Sequence, residues 1–180
     1  MTSRLSLHAT PASSFDEPFE MLLECHQRIE HMLTLLARLG AHLPVHGADE
    51  QARQAACDVM RYFDQAGPAH HEDEERHLLP VLAQSGEPEL RALATRLHDE
   101  HETMLGQWFS LRNDLQAIAD GRVDQALAAA AAARRDTFAA LYRNHIEVEE
   151  SAAYPAARSR LDAGSQAAMG REMAGRRGVH

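Results

Sequence analysis

The densest chemistry in the chain lies in HHEDEERHLLP, His70 to Pro80, where three histidines and the carboxylates Glu72, Asp73, Glu74 and Glu75 run into leucines. A second segment repeats its spacing: His70-x3-Glu74-Glu75-x4-Pro80 stands against His145-x3-Glu149-Glu150-x4-Pro155. A His and a Glu four apart on a helix share one face, one turn apart, with a rise of about 6 Å. An imidazole nitrogen and a carboxylate oxygen so placed can reach one cation or two neighbouring ones. Burying a carboxylate without a partner is costly, whereas a carboxylate bound to a cation is compensated.

The apolar stripe decides which way these pairs face. Phe138, Leu141, His145, Glu149 and Ala152 follow steps of three and four, as do Phe63, Ala66, His70, Glu74 and Leu78, so both pairs point at the core. Two further histidines sit on such stripes. His26 aligns with Leu22, Ile29 and Leu33, and His101 aligns with Leu97, Met104 or Leu105, and Trp108. The expected metal ligands are therefore His26, His70, Glu74, His101, His145 and Glu149.

Two rival registers are weaker. His71 with Glu75 has the same HxxxE spacing, but the repeat ending in Pro80 and Pro155 selects His70 and Glu74, leaving His71 and Glu75 to support the ligands or to face solvent. Glu74-x-x-His77 matches an ExxH element of other helical di-metal proteins, which use two such elements; three residues after Glu147 and Glu149 stand Glu150 and Ala152. Six donors are too many for one zinc and suit two ions sharing carboxylates. Imidazole with carboxylate suits iron, manganese or zinc. Iron is preferred, because a pair bridged by two Glu and capped by His leaves positions open for a small ligand.

The elements that must position these residues read as four helices. The first covers about Glu17 to Gly40. The second starts near Asp49, breaks or kinks at Gly67-Pro68 and resumes from His70 to Ala83. The third runs from Glu87 to Asp120, and the fourth from near Val123 through the alanine run 128–133 towards Leu161. Short connections make this an all-α, up-down-up-down four-helix bundle over 17–162. Residues 1–16 read as a flexible N-terminal segment. Residues 163–180 lose periodicity and read as a flexible basic tail that touches its own acidic body.

Composition narrows the class. The chain has 180 residues, a length that suits one domain. Lys+Arg total 18 against 27 Asp+Glu, a formal net charge of -9 that argues against a nucleic-acid partner. Every one of the basic residues is Arg, which with the many alanines reads as a high-GC bacterial coding bias. Cys25 and Cys57 lack CxxC spacing, and no apolar run has the length of a signal or membrane segment. A cytoplasmic location is expected, with no membrane partner. Cys25 reads as a small buried hydrophobe, and Tyr142, three before His145, as a packing residue.

These motifs resemble the hemerythrin-like, or HHE cation-binding, family. The resemblance is carried by His26 in CHQRIEHML, by HHEDEERHLLP, by His101 in LHDEHETML and by NHIEVEESAAYP, spanning about residues 17 to 160. It implies a hemerythrin-like bundle around a non-haem centre of two iron ions, oxo- or hydroxo-bridged. Glu74 and Glu149 would bridge, with His26, His70, His101 and His145 as terminal ligands. Oxygen-carrying hemerythrins supply five His, with HxxxH on the third helix. Here Leu97 and Leu105 flank His101 at four residues, and His98 is the one candidate for a fifth. A four-His centre is similar to that of iron-sulfur cluster repair di-iron proteins.

The functions implied are binding of a small diatomic ligand (dioxygen or nitric oxide) or peroxide for sensing, detoxification or stress response, and alternatively iron storage or donation, including cluster repair. The expected partners are the small ligand and a redox partner or iron acceptor. Candidates for holding the imidazole N–H groups are His71, His98, Glu102 and Glu150. Metal loss is expected below about pH 6, near the ordinary histidine value.

Overall fold

The computed structural model describes residues 15–122 and 125–178, with the backbone alone for 125–130. Most of the N-terminal segment 1–16 lies outside the described residues, as does Val123. Helices and turns make up the described chain, with no strand among those residues. The long helices are α1 (Pro18–His46), α2 (Glu50–His77), α4 (Pro88–Ala119) and α5 (Gln125–Val148). Short α3 (Leu79–Ala83) follows α2; a π-helical turn (Glu149–Ala153) and short α6 (Tyr154–Arg158) follow α5; α7 (Ala163–Arg176) closes the chain. α1 packs on α2 and α5, and α4 packs on the same two, so the four long helices form a closed ring.

Local chemistry sets the ends. Asp49 caps α2 by accepting from Ala52 N–H at 2.9 Å, and Asp162 caps α7 by accepting from Ser165 N–H at 2.7 Å. Gly40 does not stop α1, which runs on to His46. A Cβ at Gly40 would lie 3.1 Å from Arg135 Nε, so the glycine makes room for a buried guanidinium from α5. Gly67-Pro68 does not interrupt α2 either. Proline costs a helix interior about 3 kcal/mol, but Phe63, Gly67, His70 and Glu74 are buried along this stretch and their packing holds it helical. The break comes instead at Leu78, just before Pro80.

The core is two apolar clusters with a polar layer between them. One contains Ile29, Leu33, Val59, Phe63, Trp108 and Phe138. The other contains Phe19, Leu22, Leu78, Leu82, Leu97 and Tyr154. On α1 and α4 an inward histidine separates the two: His26 follows Leu22 and precedes Ile29, and His101 follows Leu97 and precedes Met104.

The expected flexible basic tail is instead ordered. Over 163–176 the chain forms α7, and Met169 and Met173 are buried in the second cluster. Its arginines do reach the acidic body: Arg177 Nη2 lies 2.6 Å from Asp73 Oδ2, and Arg176 pairs with the other oxygen of the same buried carboxylate. Sequence periodicity misses this helix because its apolar contact is only two methionines among small residues. No helix among the described residues is long and apolar enough to cross a membrane.

Candidate metal centre

The structure brings the six residues expected as ligands into one buried layer, none of them more than 5% exposed. They fall into two sets, His26 with His70 and His101 with His145, and Glu74 and Glu149 belong to both. Within each set the donor atoms lie within 4.8 Å of one another. His70 Nε2 is 3.3 Å from Glu74 Oε1, and His145 Nε2 is 3.1 Å from Glu149 Oε1, as the four-residue spacing dictates. Across helices, His26 Nε2 is 3.2 Å from Glu149 Oε2 and His101 Nε2 is 3.5 Å from Glu74 Oε2. Each carboxylate therefore spans both sets, one oxygen towards each.

Of the other ring nitrogens, His70 Nδ1 is buried without a protein partner and three have carboxylate partners. His26 Nδ1 donates to Glu150 at 2.9 Å, His101 Nδ1 to Glu75 at 2.7 Å, and His145 Nδ1 to Glu100 at 2.7 Å. Such a partner fixes the tautomer, so that Nε2 presents its lone pair inward. Each partner is the chain neighbour of a core donor on a different helix, turned about 100° from it. Glu150 was among the sequence candidates for this role, and the register argument left Glu75 either to support the ligands or to face solvent; Glu100 was not foreseen. His98 is exposed and meets Glu75 at 3.1 Å, outside both donor sets, while Glu102 is exposed. His71 stacks on His101 at 4.2 Å between ring centres and belongs to neither set.

Sequence reasoning also missed Tyr154. Its hydroxyl lies 3.0 Å from His26 Nε2 and donates a short hydrogen bond to Glu74 Oε1. Tyr142 packs, as expected, against Phe63, Phe138 and His71.

The donor chemistry fits cations. Glu74 Oε2 and Glu149 Oε2 are buried with no hydrogen-bond partner in the protein, although an unsatisfied carboxylate oxygen is among the costliest groups to bury. The Nε2 atoms of His101 and His145 converge to 3.0 Å. Without metal, protons take its place. Burial disfavours the charged form of His26, but the Glu149 and Glu74 carboxylates beside it favour that form, outweigh burial and raise the imidazole to about 10. Burial opposes His101 likewise, yet Glu74 raises it to about 9. At His70 burial prevails and the value falls. Glu74 sits well below the usual carboxylate range: burial works against that, and the surrounding histidines outweigh it.

A model of the hemerythrin HHE cation-binding domain matches residues 17–157. The chain belongs to this family. The match covers all six inward donors, and membership implies binding of metal ions, which the buried His/Glu layer accommodates. A Haemophilus influenzae protein, described only as uncharacterized, is 28% identical over 170 residues, covering 93% of this chain and 94% of that protein.

Proposed function

We propose that this hemerythrin-like protein holds two iron ions between His26, His70, His101, His145, Glu74 and Glu149, and binds dioxygen, nitric oxide or peroxide there for sensing or detoxification. The observation that carries the reading is the sharing of both glutamates by two donor sets of equal composition. Two irons so held would supply net positive charge and electrons to a small ligand. The protein's own groups do the rest. Glu75, Glu100 and Glu150 orient three imidazoles, and the two apolar clusters above and below exclude water.

A cleft of about 290 Å³ between α2 and α4 reaches this layer at His101, with Phe63, Pro68, Trp108 and Tyr142 in its walls. At about 30 Å³ per water that volume holds about ten waters, ample for a diatomic ligand. His71 also lines it, and its Nε2 is buried without a protein partner. Burial and the neighbouring His101 keep His71 neutral, so one ring nitrogen can hydrogen-bond an arriving ligand. Iron donation is the weaker reading, because donors this deeply enclosed exchange metal slowly.

The test is metal content with an absorption spectrum, before and after anaerobic reduction and exposure to air or nitric oxide. Two irons per chain with bands that bleach and return support the reading. A colourless zinc form, or iron that passes readily to a chelator without ligand-dependent bands, overturns it.

A further inference from the structure

Tyr154 is the unexpected group at the centre, and a local irregularity places it there. Tyr154 stands five positions after Glu149, a step that in a regular α-helix turns their side chains about 140° apart. Between them the chain forms a π-helical turn, and Tyr154 N–H bonds to the Glu149 carbonyl. That wider turn returns the tyrosine to nearly the face of the glutamate. π-Turns inside α-helices gather at functional sites. Pro155 is the sequence feature behind it: proline has no N–H to give, and in a regular helix its ring collides with the carbonyl four residues back.

The result is a buried phenol whose oxygen touches two donor atoms of one set, His26 Nε2 at 3.0 Å and Glu74 Oε1 by a short hydrogen bond. Its ring stacks on His26 at 5.2 Å, with 15° between planes, and meets Phe19 edge-on, which locks its direction. Among the described residues the other set has no counterpart. The same step after His70 and Glu74 falls on Leu79, where the chain breaks at Leu78 instead of widening. The cleft lies on that other side, reaching His101 and neither His26 nor His70.

We infer that Tyr154 is itself a metal ligand, its phenol oxygen completing the cation position at His26 and His70 and leaving the His101–His145 position open to the incoming ligand. Ligation breaks the O–H bond, releases the proton to solvent and forms an O–metal bond from the oxygen lone pair, with no change in oxidation state. This builds on the di-iron reading and makes the two positions chemically different.

The experiment is resonance Raman and visible absorption of the oxidised, iron-loaded full chain, with iron counted for every sample. A visible phenolate-to-ferric charge-transfer band that enhances tyrosine ring modes is expected in the unaltered protein. Tyr154→Phe should abolish band and modes while keeping two irons, and Tyr142→Phe should keep both. Two irons with no phenolate modes in the unaltered protein, or modes that survive Tyr154→Phe, overturn the inference and leave the di-iron reading intact. Fewer than two irons in the unaltered protein overturns the di-iron reading and this inference with it. The Raman result on the unaltered chain decides the case even where the variant folds poorly.

Discussion

Glu150 follows Glu149 in the chain, yet its carboxylate lies 2.9 Å from Nδ1 of His26, on the neighbouring helix α1. One residue of helical rotation takes it out of the shared layer and onto the back of another helix's imidazole. Glu75 and Glu100 stand in the same relation to His101 and His145. Glu150→Ala should weaken metal affinity about 10- to 100-fold, the usual effect of removing such a partner, while the fully loaded stoichiometry stays the same. Competition with a chelator measures it. An unchanged affinity would mean that the 2.9 Å contact does not orient the histidine.

Adjacent histidines in the quoted motif have separate roles. His70→Ala removes a donor from the first set, and Glu149→Ala removes an oxygen from both, so each should lower metal content. His71→Ala should leave metal content unchanged and weaken small-ligand binding roughly 3- to 10-fold, the worth of one hydrogen bond. Metal analysis and ligand titration of the three variants separate these outcomes. Equal metal loss in all three would return the His71 and Glu75 register to contention.

The inward stripe was legible because it obeys helical periodicity: His26, His70, His101 and His145 sit where a leucine would otherwise fill the core. What escaped was set by relations between helices or by irregular backbone. Glu100 lies off the stripe, and the histidines that Glu75 and Glu100 meet belong to other helices, so neither pairing could be read from one helix's periodicity. Tyr154 is displaced from its α-helical direction by the π-turn. Pro68 reads as a helix break, yet burial of its neighbours outweighs its local cost. In α7 the signal is two methionines and a pair of arginines, too sparse for periodicity to register.

The carboxylates also move the pH window of metal binding upward. An ordinary histidine value places proton competition near pH 6, but in the metal-free protein His26 titrates at about 10 and His101 at about 9. Metal uptake near neutrality must therefore displace protons, and affinity should keep rising with pH until these imidazoles are neutral. The sign for stability follows from the same shifts. Raised imidazoles stabilise the metal-free fold fully below the ordinary histidine value of 6.5, and that contribution is lost as pH rises through about 9 and 10. Glu74, held below the ordinary glutamate value of 4.5, contributes above that value and loses its contribution as pH falls. The metal-free protein should melt at lower temperature at pH 10 than at pH 6.5, and the metal-loaded protein should show a smaller drop. Thermal unfolding of both forms across this range checks it. Equal drops would argue against protons and metal sharing one set of donors.

Asp73 stands beside Glu74 but turns away from the metal layer to meet α7. Its carboxylate is fully buried, with Arg177 at 2.6 Å and Arg176 on the other oxygen. Removing both arginines leaves that charge buried without compensation, a situation that costs about 3 to 5 kcal/mol. For a chain of this length the double variant Arg176→Ala, Arg177→Ala should lower the melting temperature by roughly 10 °C. Adding Asp73→Asn should recover part of the loss, because the amide carries no charge to strand. Calorimetry on the three proteins tests this. A double variant as stable as the parent would show that Met169, Met173 and the His77–Glu172 contact suffice to hold α7, with Asp73 finding water instead.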